Sequence, residues 1–64
     1  MSNRAIPHEY RVEVFRDGRR VRNIWYATWW YAYVRAVFFL DNHKGDYVQV
    51  SRNSKLLARM VRPT

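Results

Sequence analysis

Tyr10–Tyr26 reads YRVEVFRDGRRVRNIWY, and this stretch decides the fold class. Tyr10, Val12 and Val14 alternate with Arg11 and Glu13, the two-residue period of a strand with one buried face. Asp17-Gly18 then supplies two consecutive residues that tolerate positive φ, as the tightest hairpin turns require. Val21–Tyr26 becomes the return strand. Counting outward from the turn sets Arg16 opposite Arg19, Phe15 opposite Arg20, Val14 opposite Val21, Glu13 opposite Arg22 and Tyr10 opposite Trp25. One face then carries Tyr10, Val12, Val14, Val21 and Trp25. The other carries Arg11, Glu13, Phe15, Arg20, Arg22, Ile24 and Tyr26. Glu13 and Arg22 are complementary cross-strand neighbours in this register, which supports it.

Downstream of the hairpin, Thr28 can cap a helix from Trp29 to about Asp41, its hydroxyl accepting from a free first-turn N–H. At 100° per residue, Trp29, Ala32, Tyr33, Ala36 and Leu40 share one face, where the two alanines allow close approach to a sheet. Asn42–Gly45 ends the helix, with Gly45 suited to the left-handed conformation common after helix termini. Tyr47–Ser51 alternates again, with Val48 and Val50 inward. In Leu56–Val61, alternation of Leu56, Ala58 and Met60 favours a fourth strand over a short helix capped by Ser54. The expectation is an α+β domain: a four-stranded antiparallel sheet with one helix packed on one face, in the order β-β-α-β-β. It is one small domain over residues 1–64, with 1–8 an extended arm in which Pro7 discourages helix.

Composition narrows the function classes. The chain has 64 residues, 48% hydrophobic and 17% aromatic, with a formal net charge of +7. So high an apolar content argues against disorder. There are no cysteines and only two histidines, so disulfides, thiolate sites and a histidine-built zinc site are not expected. Exposed surface positions account for His8 and His43. The five acidic residues form no evident pair with a histidine or with one another, and two glycines cannot build a phosphate loop. The expectation is a binding protein with no catalytic residue, metal or cofactor. Met1–Tyr10 contains Arg4, Pro7, His8 and Glu9 and no apolar run, so no secretory signal is read there. Ile24–Leu40 is short for a membrane span, includes Arg35 and is filled with tryptophan and tyrosine, which favour the interface. A cytoplasmic location follows as the expectation, the host cytoplasm if the chain is phage-encoded.

Ten of the twelve basic residues are arginine. Arginines interleaved with aromatics suit single-stranded nucleic acid, rings stacking on bases while guanidiniums neutralise phosphates. The expected site for nucleic acid or another partner is Arg11, Phe15, Arg16, Arg19, Arg20, Arg22, Tyr26 and Tyr47, with Phe15 and Tyr26 as the hairpin's stacking groups. Trp30, Tyr31, Val34 and Phe38 are left uncovered on the outer helix face. Such a surface marks a partner interface, most simply a twofold homodimer. Small size, arginine richness and the Tyr10–Tyr26 hairpin leading into a Thr28-capped helix resemble the small accessory proteins encoded by bacteriophages. That resemblance implies a chain that binds and redirects a host protein or nucleic acid. The alternative to nucleic acid is therefore an acidic host protein, engaged through the basic hairpin and the outer helix face. A third reading is a membrane surface, with Trp25, Trp29 and Trp30 in the headgroup region.

Overall fold

In the computed structural model, which describes residues 8–42 and 44–62, five elements follow in the expected order. They are strands β1 (Tyr10–Arg16) and β2 (Arg19–Tyr26), helix α1 (Trp29–Asp41), and strands β3 (Tyr47–Arg52) and β4 (Lys55–Val61). The strands form one antiparallel sheet in the order β2-β1-β3-β4. β2 and β3 therefore run the same way on either side of β1, and α1 crosses the sheet between them. The arm expected at 1–8 and the placement of His43 lie outside the described residues, apart from His8, which is exposed.

The core begins with four valines. Val12 lies opposite Val50 and Val14 opposite Val48, all four fully buried on the side facing α1. Branched side chains pack well as cross-strand pairs on a pleated surface, which is why valine recurs here. Ala32 and Ala36 bring the helix onto these valines, and Phe39, Leu40 and Tyr26 close the cluster. Tyr10, Ile24, Ala58 and Met60 pack around it.

The Asp17-Gly18 turn forms as expected, with φ of 54° and 77°. Arg16 opposes Arg19 and Phe15 opposes Arg20. Beyond that point the register departs from a simple count. It shifts between Val14 and Phe15, so Val14 pairs with Arg22 and Val21 becomes the extra residue of a β-bulge. Glu13 then opposes Asn23, Val12 opposes Ile24, Arg11 opposes Trp25 and Tyr10 opposes Tyr26. A one-residue slip moves every later side chain to the other face. Val21 and Trp25, expected inward, are 49% and 48% exposed, while Tyr26 is only 8% exposed. The shift moves Asn23 off the helix side, where burying its amide without a partner would cost free energy, and puts there Arg22, whose long side chain stays exposed. With the bulge, Asn23 lies on the open side and its Oδ1 accepts from Arg11 Nε at 2.7 Å.

The second hairpin repeats the device. Its turn residues, Asn53 and Ser54, have φ of 52° and 67°. The register shifts between Val50 and Ser51, which leaves Leu57 as the extra residue. The strand expected at Leu56–Val61 forms and begins one residue earlier, at Lys55, but the bulge separates Leu56 from Ala58 and Met60, which alone face the core. Ser54 has no glycine-like freedom, and a left-handed conformation costs a residue with a Cβ roughly 1–2 kcal/mol. Ser54→Gly should therefore raise stability by up to about 1 kcal/mol after glycine's extra unfolded-state entropy is set against it. Thermal melting reads this as a gain of about 4 °C. An unchanged or lowered midpoint would show that Ser54 pays no strain here.

The cap at Thr28 forms: its Oγ1 accepts from Tyr31 N–H at 3.2 Å and its carbonyl from Ala32 N–H at 3.1 Å. The helix is turned slightly from the expected wheel. Phe39 enters the core, while Trp29 and Tyr33 move to the rim, where Trp29 packs on Tyr10 and Tyr33. A face lined by two alanines sits too close to the sheet for large rings beside it, so these rings wrap its margin. Helix termination also differs from expectation. Asn42 closes the last turn through its backbone N–H and its Nδ2, both donating to Phe38 O. Gly45 does not adopt positive φ. Its lack of a side chain serves close packing instead, because it is buried against Val14 and the Phe15 carbonyl. Next to it, Asp46 binds three ends of the sheet. Its N–H donates to Phe15 O, its Oδ2 accepts from Asp17 N–H, and its carbonyl accepts from Arg62 N–H.

Candidate nucleic-acid interface

The side of the sheet away from α1 is uncovered, and strand register arranges it in three cross-strand rungs. The first is Arg20, Phe15, Tyr47 and Val61. The second is Asn23, Glu13, Gln49 and Arg59, and the third is Trp25, Arg11, Ser51 and Leu56. Arg16 and Arg19 stand at the hairpin tip beyond the first rung.

Glu13 is the one acidic residue in these rungs, and it organises two guanidiniums. Its Oε2 accepts from Arg20 Nη1 at 2.9 Å and lies 3.5 Å from Arg11 Nη2. The expected Glu13–Arg22 pairing is replaced by these contacts. The aromatic groups are also engaged with their neighbours. Phe15 and Tyr47 stack face to face, with centroids 4.7 Å apart and planes 8° from parallel. Arg59 lies over the Tyr47 ring at 4.5 Å, and Arg11 over Trp25 at 5.5 Å. The first two rungs thus form a preassembled row in which rings stand on rings. A base cannot slide flat onto Tyr47, because Phe15 occupies one side and Arg59 the other.

Of the expected site residues, Arg11, Phe15, Arg16, Arg19, Arg20 and Tyr47 are gathered on this face and its tip. Arg22 and Tyr26 are not. The bulge places both on the helix side, where Arg22 lies over the Phe39 ring at 5.6 Å and Tyr26 meets Tyr31 edge to face. Their expected place on the open face is corrected for that reason. Trp25 and Arg59 belong to the face and were not among the expected residues. The usable signal for Trp25 was the polarity of Asn23 two residues earlier, since both must share a face. The usable signal for Arg59 was its place between Ala58 and Met60, since alternation with two inward residues sets it on the open side.

The tip has the least compensated charge. Arg16 and Arg19 are directly opposite, both exposed, and no carboxylate among the described residues lies within ion-pair distance of either. Like charges placed opposite one another in a sheet destabilise it. The other expected surface, Trp30, Tyr31, Val34 and Phe38, is exposed on α1, on the far side of the molecule from these rungs.

No helix among the described residues is long and apolar enough to cross a membrane. Comparison with known proteins finds no matching family model, curated protein or solved structure.

Proposed function

We propose that this chain is a non-enzymatic nucleic-acid-binding module that holds a phosphate backbone along its hairpin tip and open sheet face. The observation carrying this reading is the Arg16–Arg19 pair. A local rule of sheet pairing is broken there without internal compensation, and such violations concentrate at functional sites. A polyanion relieves the repulsion, because phosphates between two guanidiniums turn a like-charge pair into two charge-assisted contacts. Arg20, Arg11 and Arg59 continue the positive track across the face.

Since Phe15 and Tyr47 already stack on each other, base stacking falls to Trp25, half exposed at one corner. Affinity on this reading is dominated by phosphate contacts and carries little sequence preference. Titration of labelled single- and double-stranded oligonucleotides at low and moderate salt tests it. Phosphate contacts from these five arginines predict a log–log salt slope of about −3.5 to −4.5. Trp25→Ala should weaken single-strand binding by roughly 1–3 kcal/mol, about 5- to 150-fold, and leave duplex binding nearly unchanged. Absence of binding at low salt would sink the proposal. A stoichiometric acidic protein retained by the chain from nuclease-treated lysate would move the reading to a phage-type adaptor on a host protein.

A further inference from the structure

Packing α1 onto the sheet through Ala32, Ala36, Phe39 and Leu40 turns Trp30, Val34, Phe38 and Asp41 directly away from it. Trp30 is 70% exposed. Trp29, Trp30, Tyr31, Tyr33, Val34 and Phe38 together expose an apolar area on the order of 600 Å², taking about 150–250 Å² for an aromatic side chain. That approaches the roughly 800 Å² one partner contributes to a standard interface. It is also at the upper end of what a monomer leaves open.

Charge identifies the occupant. Trp29–Asp41 contains two charged residues, Arg35 and Asp41. The Arg35 guanidinium lies over Phe38 at 4.5 Å and Phe39 at 5.3 Å, on the flank of the outer face. Asp41 is exposed in the last turn and has no ion-pair partner among the described residues. Its charge is misplaced at the negative end of the helix dipole, while the first turn holds no acidic residue to complement the positive end. Two such helices packed antiparallel resolve both mismatches together, because each Asp41 comes to the other's first turn. The rest of the molecule does not suit self-association. Both edge strands are bulged and carry arginine or lysine, which opposes sheet extension, and the open face is positive.

We propose that a second copy of this chain covers the outer face of α1, the helices antiparallel across a twofold axis near Val34. Trp30 of each copy packs against the other's Phe38, and Asp41 approaches the other's Thr28–Trp30 turn. Both open sheet faces remain outward, so pairing and nucleic-acid binding do not compete, and the two proposals fail separately.

Sedimentation equilibrium without nucleic acid, at physiological salt and over a concentration series, tests the pairing. A dimer with a dissociation constant in the micromolar range is expected. Trp30→Lys should raise that constant at least tenfold with an unchanged circular dichroism spectrum, since so exposed a side chain contributes little to the fold. Asp41→Lys should raise it several-fold, because the sign reversal repels the opposing helix terminus. A monomer mass up to about 100 μM would overturn the proposal and leave the face to a different partner. A dimer indifferent to Trp30→Lys, or to Asp41→Lys, would overturn it equally.

Discussion

Reversing both charges at the hairpin tip, Arg16→Glu with Arg19→Glu, should lower nucleic-acid affinity about a hundredfold or more at roughly 0.1 M salt. Each neutralised phosphate contributes about 0.9 to the log–log salt slope, so two lost contacts alone account for about sixtyfold at that salt. Repulsion between the new carboxylates and the phosphates adds the remainder. The slope itself should fall in magnitude by about 2, which separates lost phosphate contacts from lost stacking. Both side chains are exposed and outside the ion pairs described above, so the fold should survive, as circular dichroism would report. A doubly reversed chain that binds as tightly as the parent would remove the tip from the interface. One that binds more weakly with an unchanged slope would show that the loss is not electrostatic.

Gly45→Ala should destabilise the fold strongly through a single added methyl. A Cβ there would overlap the Val14 γ-methyl and stand 2.8 Å from the Phe15 carbonyl oxygen. Neither neighbour can yield. Val14 is fully buried in the valine layer, and Phe15 O accepts from Asp46 N–H at 2.7 Å. Overpacking of this kind costs about 1–3 kcal/mol or more. A domain of this length has a total stability of roughly 3–10 kcal/mol, so the fraction lost is large. The melting midpoint should drop by roughly 5–20 °C. Gly18 makes the opposite case. Nothing lies within 4 Å of its Cβ position, but its φ of 77° is costly for any residue with a side chain. Gly18→Ala should therefore destabilise through backbone strain alone, by about 1 kcal/mol. If Gly45→Ala melts within about 2 °C of the parent, the loop does not press on the sheet as described.

The open face shows how a small irregularity governs chemistry. A single bulge at Val21 exchanges Tyr26 for Trp25 and Arg22 for Asn23 on the open side of the sheet. Counted straight from the turn, the open face presents Arg11, Arg20 and Arg22 together. With the bulge, Arg22 goes to the helix side, Arg11 and Arg20 converge on Glu13, and Arg16 and Arg19 alone stay uncompensated at the tip. The same residues, one position out of step, would describe a different interface.

What could be read from local pattern is what depends on local forces. Alternation around Val12 and Val14 marks a half-buried strand because successive side chains leave it on opposite faces. Asp17-Gly18 marks the turn because both residues accept positive φ, and Thr28 marks the helix start because a hydroxyl there meets an orphan N–H. Alternation of Ala58 and Met60 within Leu56–Val61 favours a strand there over a short helix. These features are contained within a few residues of chain, and together they place five elements in order and specify the α+β class. The faces were settled elsewhere. Whether Val21 is paired or bulged decides whether Asn23 or Arg22 lies on the side of a core built by Val48, Val50, Ala32 and Phe39, all more than eight residues away in sequence. Phe39 enters that core, and Trp29 and Tyr33 leave it, because two alanines set the helix–sheet distance and only some rings then fit. Gly45 is needed for the nearness of Val14, thirty-one positions earlier, and no neighbouring residue announces that contact. Packing and desolvation act through space, so they chose among registers that local propensity left nearly equal.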